Sequence, residues 1–280
     1  MNRTAAASPE ASDQPVLRVT GLAKRFAGPA GTVAALDGIS FEVRPGEFLS
    51  VIGPSGCGKS TLFNIIGGLL AGHEGEVLIE GERLRRTHRA IGMVFQEEST
   101  FPWRTALANV AFPLEIAGIG RRERLERARA LLHLVGLAGF ENHRPAELSG
   151  GMRQRVALAR TLAAEPRILL MDEPFAALDE QTRLLLGDKL LQIQQELRQT
   201  TLLITHNIAE AVQLSDRVLV MTYRPGRVKR LLTIDLPRPR SSEIVGSEEF
   251  GRLVAAIWRD LREEAAKGMA ESEVMLQKSG

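Results

Sequence analysis

Gly53, four residues, then Gly58-Lys59-Ser60 is a spacing that can hold phosphate, inside the stretch EFLSVIGPSGCGKST from Glu47 to Thr61. Glycines let the backbone curl until consecutive N–H groups point into one anion-sized hollow. Phe48 to Ile52 reads as a short buried strand, and Leu62, Phe63, Ile65, Ile66 and Leu69 follow at helical spacing. The loop therefore lies between strand and helix, the setting that a P-loop requires, and the helix start adds partial positive charge. The backbone of Gly53, Pro54, Ser55, Gly56, Cys57, Gly58, Lys59, Ser60 and Thr61 would wrap the phosphates of a nucleotide. Lys59 would reach the β- and γ-phosphates and Ser60 would ligate Mg²⁺. Cys57, beside Lys59 and a helix N-terminus, is expected to carry a lowered thiol pKa and to be shielded from a maleimide by bound nucleotide, the alternative being a buried, inert thiol.

Other reactive side chains stand at the ends of apolar runs. Ile168 to Met171 ends in Asp172-Glu173. Downstream of a P-loop, such a carboxylate holds Mg²⁺ through its shell, and Glu173 could polarise a water for attack on the γ-phosphate. Ile91 to Phe95 ends at Gln96, and Thr201 to Thr205 ends at His206. In an α/β sheet the C-terminal strand ends form the ligand edge, although a strand-end Gln and a lone His are also ordinary structural residues. Ser149 can cap a helix starting near Gly151. Gly150 and Gly151 leave its mouth bare, either as a second anion site or as a plain cap. Phe26, between two strands, reads as a loop aromatic that stacks on adenine or plugs a small sheet.

These positions need a sheet and helices to hold them. The chain has 280 residues, a net charge of +2 and one cysteine. That is room for one large α/β domain, a charge balance that does not argue for nucleic acid, and no possible internal disulfide. Residues 1–15 are polar and read as a disordered leader rather than a signal peptide. No apolar run approaches the ~18 residues that span a bilayer, so a soluble, cytoplasmic protein is expected. Val16 to Thr20, Ile39 to Val43, Val77 to Ile79 and Val218 to Met221 read as further strands. From about 100 to 164 the pattern is helical: Thr105 to Ala117 broken at Pro113, then Arg121 to Val135 closed by Gly136. Tyr223 to Arg240 reads as a basic, Pro-rich stretch, and residues 241–280 as a helical extension.

In order, the P-loop, Gln96, LSGGMRQR from Leu148 to Arg155, Asp172-Glu173, Ala177-Leu178-Asp179 and His206 resemble the ATP-binding cassette family. The resemblance implies a cassette over 16–240: a P-loop NTPase α/β core, an N-terminal antiparallel β subdomain and an α-helical signature subdomain. It implies ATP and Mg²⁺, with two copies sandwiching nucleotide. By resemblance, Phe26 stacks on adenine, Gln96 senses Mg²⁺ and the attacking water, Glu173 is the general base and His206 contacts the γ-phosphate. Ser149, Gly150 and Gly151 of the other copy close on that phosphate, and Asp179 signals across the dimer. Phe101-Pro102-Trp103-Arg104, Asn109-Val110 and Tyr223 to Arg227 resemble the subgroup that serves nitrate, taurine and aliphatic sulfonate importers. Phe101 stands where that subgroup often has Leu, and Asn207 where Asp commonly follows the His. The expected protein is then the ATPase subunit of a bacterial importer of a small anion, peripheral on the cytoplasmic face of the inner membrane. Its partners would be a permease, seated at Glu97 to Arg104, and a periplasmic or lipid-anchored solute-binding protein, with no nucleic acid. The alternatives are a soluble cassette ATPase acting on nucleic acid or ribosomes, against which the lack of long heptad repeats and of a second cassette speaks, and an exporter ATPase.

Overall fold

A computed structural model describes residues 14–28, 31–96, 99–176 and 178–279, with side chains as far as Glu271. Most of the expected leader, and Glu97, Glu98 and Ala177, lie outside the described residues. The first strands are β1 (Leu17–Gly28), β2 (Gly31–Val43), β3 (Phe48–Ile52), β4 (Glu74–Ile79), β5 (Glu82–Arg83) and β6 (Ile91–Val94). Later come β7 (Ile168–Asp172), β8 (Thr200–Ile204), β9 (Arg217–Met221) and β10 (Val228–Thr233). The helices are α1 (Lys59–Ile66), α2 (Ala106–Ile116), α3 (Arg121–Leu134), α4 (Gly150–Leu162), α5 (Glu180–Leu197), α6 (Ile208–Leu214) and α7 (Glu248–Ser279).

The strands form an antiparallel sheet in the order β2-β1-β4-β5 and a larger sheet in the order β10-β9-β3-β8-β7-β6. In the larger sheet β3, β6, β7, β8 and β9 are parallel, with β10 antiparallel at the edge. Every residue of β3 and β8 is buried, which is what an apolar run covered on both faces does. The antiparallel sheet turns Val19, Leu22, Ile39, Phe41 and Val77 onto Leu62 and Phe63 of α1 and Val51 of β3. This is a P-loop α/β fold.

Residues 99–163 hold α2, α3 and α4 and, among the described residues, no strand. Val110, Leu114, Leu132, Val156 and Ala159 pack these helices together. Leu137 N–H reaches back to Leu132 O at 2.8 Å and Gly136 takes φ 71°, closing α3 as the sequence suggests.

Three sequence expectations need correction. Phe26 is in β1, paired with Val33, and not in a loop; the hairpin runs on past the apolar alternation because its outer half carries polar residues. Pro113 does not interrupt α2. A mid-helix proline costs ~3 kcal/mol, but burial of Leu107, Val110 and Leu114 returns about 1.5–3 kcal/mol each. The basic stretch after Tyr223 contains β10, an edge strand whose Lys229 and Arg230 hide it from a hydrophobic pattern while protecting the edge.

Those two cations bind α7. Arg230 pairs with buried Asp260 at 3.2 Å. Glu264, also buried, accepts from Lys229 Nζ at 3.0 Å, Lys267 Nζ at 2.6 Å and Tyr223 N–H at 3.0 Å. Burial alone would raise the Glu264 carboxyl, but Lys267, the Tyr223 amide and Lys229 together hold it at about 2. Because this lies below the unfolded value of about 4.3, the contribution is complete above that pH and vanishes as pH falls toward about 2. Glu264→Gln should therefore lower the urea midpoint at neutral pH, and the gap to wild type should close on acidification through that window. A pH-independent gap would contradict this arrangement.

Candidate functional site

The phosphate loop leaves β3 at Gly53 and enters α1 at Lys59. Gly58 holds φ 101°, and a Cβ there would sit 2.8 Å from Ala35 O and from Leu36 Cδ2. Only glycine meets both demands. Lys59 lies along the loop, with Nζ donating to Gly53 O at 2.8 Å and Pro54 O at 3.0 Å. Beside the loop is an open cavity of about 390 Å³, walled by Phe26, Val33, Ser55, Lys59, Thr61 and Glu173 among others. Phe26 is 39% exposed and borders this cavity, with Lys24 Nζ 5.2 Å from its ring centroid. It does not plug the sheet.

Asp172 ends β7. Burial raises its carboxyl, the hydrogen bond from the Ser60 side chain lowers it, the neighbouring Glu173 raises it and Lys59 lowers it. Ser60 and Asp172 thus offer adjacent hard oxygen donors, which fit Mg²⁺. Glu173 has φ 46°, a conformation costing a non-glycine residue about 1–3 kcal/mol. It is held there by its N–H to Ile204 O at 2.9 Å. Its Oε2 lies 3.2 Å from His206 Nδ1. An imidazole within hydrogen-bond reach can orient a carboxylate for general-base work.

Gln96, Ser149, Gly150, Gly151 and Asp179 are not among the residues that line this cavity. Gln96 O accepts from Gln154 Nε2 of α4 at 3.3 Å, tying the end of β6 to the helical block. Ser149 caps α4, its Oγ accepting from Met152 N–H at 3.3 Å. Gly151 packs on Leu178, where a Cβ would be 3.2 Å from Cδ2. Asp179 caps α5 through Thr182 N–H at 2.9 Å and the Thr182 hydroxyl at 2.7 Å, and the Thr182 amide and hydroxyl lower its carboxyl pKa. Ser149, Gly150, Gly151 and Asp179 therefore group together, and none of them lines the cavity.

Two positions depart from the sequence reading. Arg224 was legible only as part of a family-like motif, yet it lines the cavity and donates to Gly56 O at 3.2 and 3.3 Å. Cys57 is fully buried. Burial raises its thiol pKa, and Lys59, nearby amides and Arg224 oppose that without reversing it. The expected low pKa fails because the side chain packs into the core beneath Gly53, where desolvation outweighs the Lys59 charge and the neighbouring amides. Cys57 should resist a thiol reagent in the native protein and react freely in denaturant; fast labelling of the native protein would refute this burial.

An uncharacterized ABC transporter ATP-binding protein of Methanocaldococcus jannaschii is 50% identical over 244 residues, covering 87% of this chain and 91% of the relative. A nitrate import ATP-binding protein of Synechocystis is 46% identical over 221 residues, covering 79% and 83%. A dimeric ATP-binding cassette solved in a post-hydrolysis state with ADP and Pi superposes with a TM-score of 0.70 at 34% identity, covering 79% of this chain and all of that one. The ABC transporter family model matches residues 36–176. With the P-loop, Asp172 and the Glu173–His206 pair on one sheet edge, the chain belongs to the ABC transporter family as an ATP-hydrolysing cassette.

Proposed function

We propose that this cassette powers uptake of a small anion such as nitrate, a sulfonate or taurine through a separate permease, working as a homodimer on the cytoplasmic face of the membrane. Among the described residues no helix is long and apolar enough to cross a bilayer, so attachment would run through the permease. The nitrate-importing relative supports the solute class. A periplasmic or lipid-anchored binding protein would deliver the solute, and no nucleic acid is involved.

In this reading Phe26 stacks on adenine and the loop from Gly53 to Thr61 holds the triphosphate. Ser60, Asp172 and Gln96 would hold Mg²⁺, which would supply positive charge to stabilise the transferring phosphate. Glu173 takes the proton of the attacking water, and His206 orients Glu173 and contacts the γ-phosphate. Ser149, Gly150 and Gly151 come from the second copy, a reading supported by the dimeric cassette solved with ADP and Pi and by their absence from the cavity lining in their own chain. The α4 N-terminus suits a phosphate, and Asp179, packed beside that group, reports its arrival.

The observation that carries coupling to a permease is Trp103, 69% exposed. Its ring stacks on Phe101 at 5.6 Å, and Phe101 meets Phe112 edge-on at 4.8 Å. Asn109 fastens Phe101 by accepting its N–H at 2.7 Å and donating to its carbonyl at 3.1 Å. Arg160 of α4 donates to Ser99 O at 2.7 Å and to its hydroxyl at 2.8 Å. The aromatic shelf is therefore rigid, open, and tied through α4 to the capping Ser149. A short amphipathic helix of the permease fits such a shelf.

Exposure also decides what Trp103→Ala should do. A buried Trp would cost about 3–5 kcal/mol of folding stability, but this ring has little folding contact to lose. The variant should keep its melting temperature and lose at least ~2 kcal/mol of association with membranes carrying the cognate permease. A lowered melting temperature with undiminished membrane retention would refute the docking role.

A further inference from the structure

The loop from Thr222 to Arg227 leaves β9 beside the phosphate loop and touches three parts of the molecule. It is closed on itself by Thr222, whose Oγ1 donates to Pro225 O and accepts from Arg227 N–H, both at 2.9 Å. On one side it joins the adenine-side hairpin. Gly226 N–H donates to Ala35 O at 2.9 Å, and Gly226 O accepts from Asp37 N–H at 3.0 Å. Arg227 binds Asp37 Oδ2 at 2.5 and 2.9 Å. On another side it presses on the phosphate loop: a Cβ at Gly226 would fall 2.2 Å from Cys57 O, so no side chain fits between the two backbones. Arg224 reaches over this contact and gives two N–H bonds to Gly56 O, at 3.3 and 3.2 Å.

The third contact is with α7. Tyr223 N–H donates to Glu264 Oε2 at 3.0 Å, and Glu264 is pinned by Lys229 and Lys267. One turn later Gly268 lies against the Tyr223 ring, where a Cβ would be 2.7 Å from Cε2. A continuous set of contacts thus runs from α7 through Tyr223 and Arg224 to the Gly56 carbonyl.

The Gly56–Cys57 peptide lies in the stretch that must aim N–H groups at phosphate. A planar trans peptide points its carbonyl and its N–H in opposite directions. Fixing the Gly56 carbonyl with a guanidinium therefore also fixes the Cys57 N–H, which donates to Pro54 O at 3.3 Å, so the peptide is held on both sides and the loop keeps its curled shape. Such charge-assisted bonds are stronger than neutral ones, and a loop already in its binding shape loses less entropy when nucleotide arrives.

We propose that the Tyr223–Arg227 loop is a clasp on the phosphate loop, with Arg224 as a positioning residue and α7 as the element that sets it. Nucleotide affinity and the seating of α7 are then thermodynamically linked, each strengthening the other.

The test uses the full chain with fluorescent ATP and ADP analogues and steady-state hydrolysis. Arg224→Ala should weaken nucleotide binding and raise KM for ATP by about tenfold, with kcat little changed, because it removes binding common to ground and transition states. Arg224→Lys should restore only part, since a lysine lacks the planar fork. Glu264→Gln and Gly268→Val, which disturb α7 in different ways, should each weaken binding about fivefold alone and have almost no further effect in the Arg224→Ala background. In the wild type, MgATP should slow amide exchange over residues 260–271. Wild-type affinity for Arg224→Ala would overturn the clasp. Undiminished effects of the α7 variants in the Arg224→Ala background, or exchange in 260–271 indifferent to MgATP, would overturn the link to α7.

Discussion

Ile204 is the rung on which the site rests. It pairs with Val51 of β3 on one side and with Asp172 of β7 on the other. Its carbonyl also takes the Glu173 N–H. Parallel strands locked in that register end together, so the phosphate loop, the two carboxylates and His206 emerge at one level of one edge. A slip of one residue would turn each strand's side chains to the opposite face and carry Asp172 away from Ser60. The burial of every residue in β3 and β8 is what makes such a slip costly. The strained φ of Glu173 persists because its N–H is fastened to the Ile204 carbonyl of that rung.

What could be read from the chain alone followed the same physics. Strands buried on both faces are written as continuous apolar runs, so Phe48 to Ile52, Ile168 to Met171 and Thr201 to Thr205 were visible, and with them the residues at their ends. Exposed or half-exposed elements were less visible. β10 is an edge strand carrying Lys229 and Arg230, and its sequence reads as a basic linker. Phe26 reads as a loop residue because the outer half of its hairpin has no buried alternation. Pro113 read as a break because sequence shows the lost hydrogen bond but not the packing that compensates for it.

The two misreadings nearest the phosphates concern direction. Cys57 has the neighbours that lower a thiol pKa, yet its side chain points into the core and desolvation wins. Arg224 is far from the P-loop in sequence, and only the fold brings its guanidinium to Gly56. Spacing records which groups are available. The direction in which a side chain leaves the backbone is set by packing from distant segments.

We propose that each hydrolytic site is divided between copies: Ser149 to Gly151 do not line the cavity beside Lys59 and Glu173, and a structural neighbour with ADP and Pi is dimeric. The most direct measurement mixes two variants that should each be inactive, Glu173→Gln and Ser149→Arg, and assays ATP hydrolysis. A mixed dimer has one site carrying both lesions and one carrying neither. Mixing should restore activity absent from either variant alone. Mixtures that stay as inactive as their parents, while mixed dimers are shown to form, would contradict it.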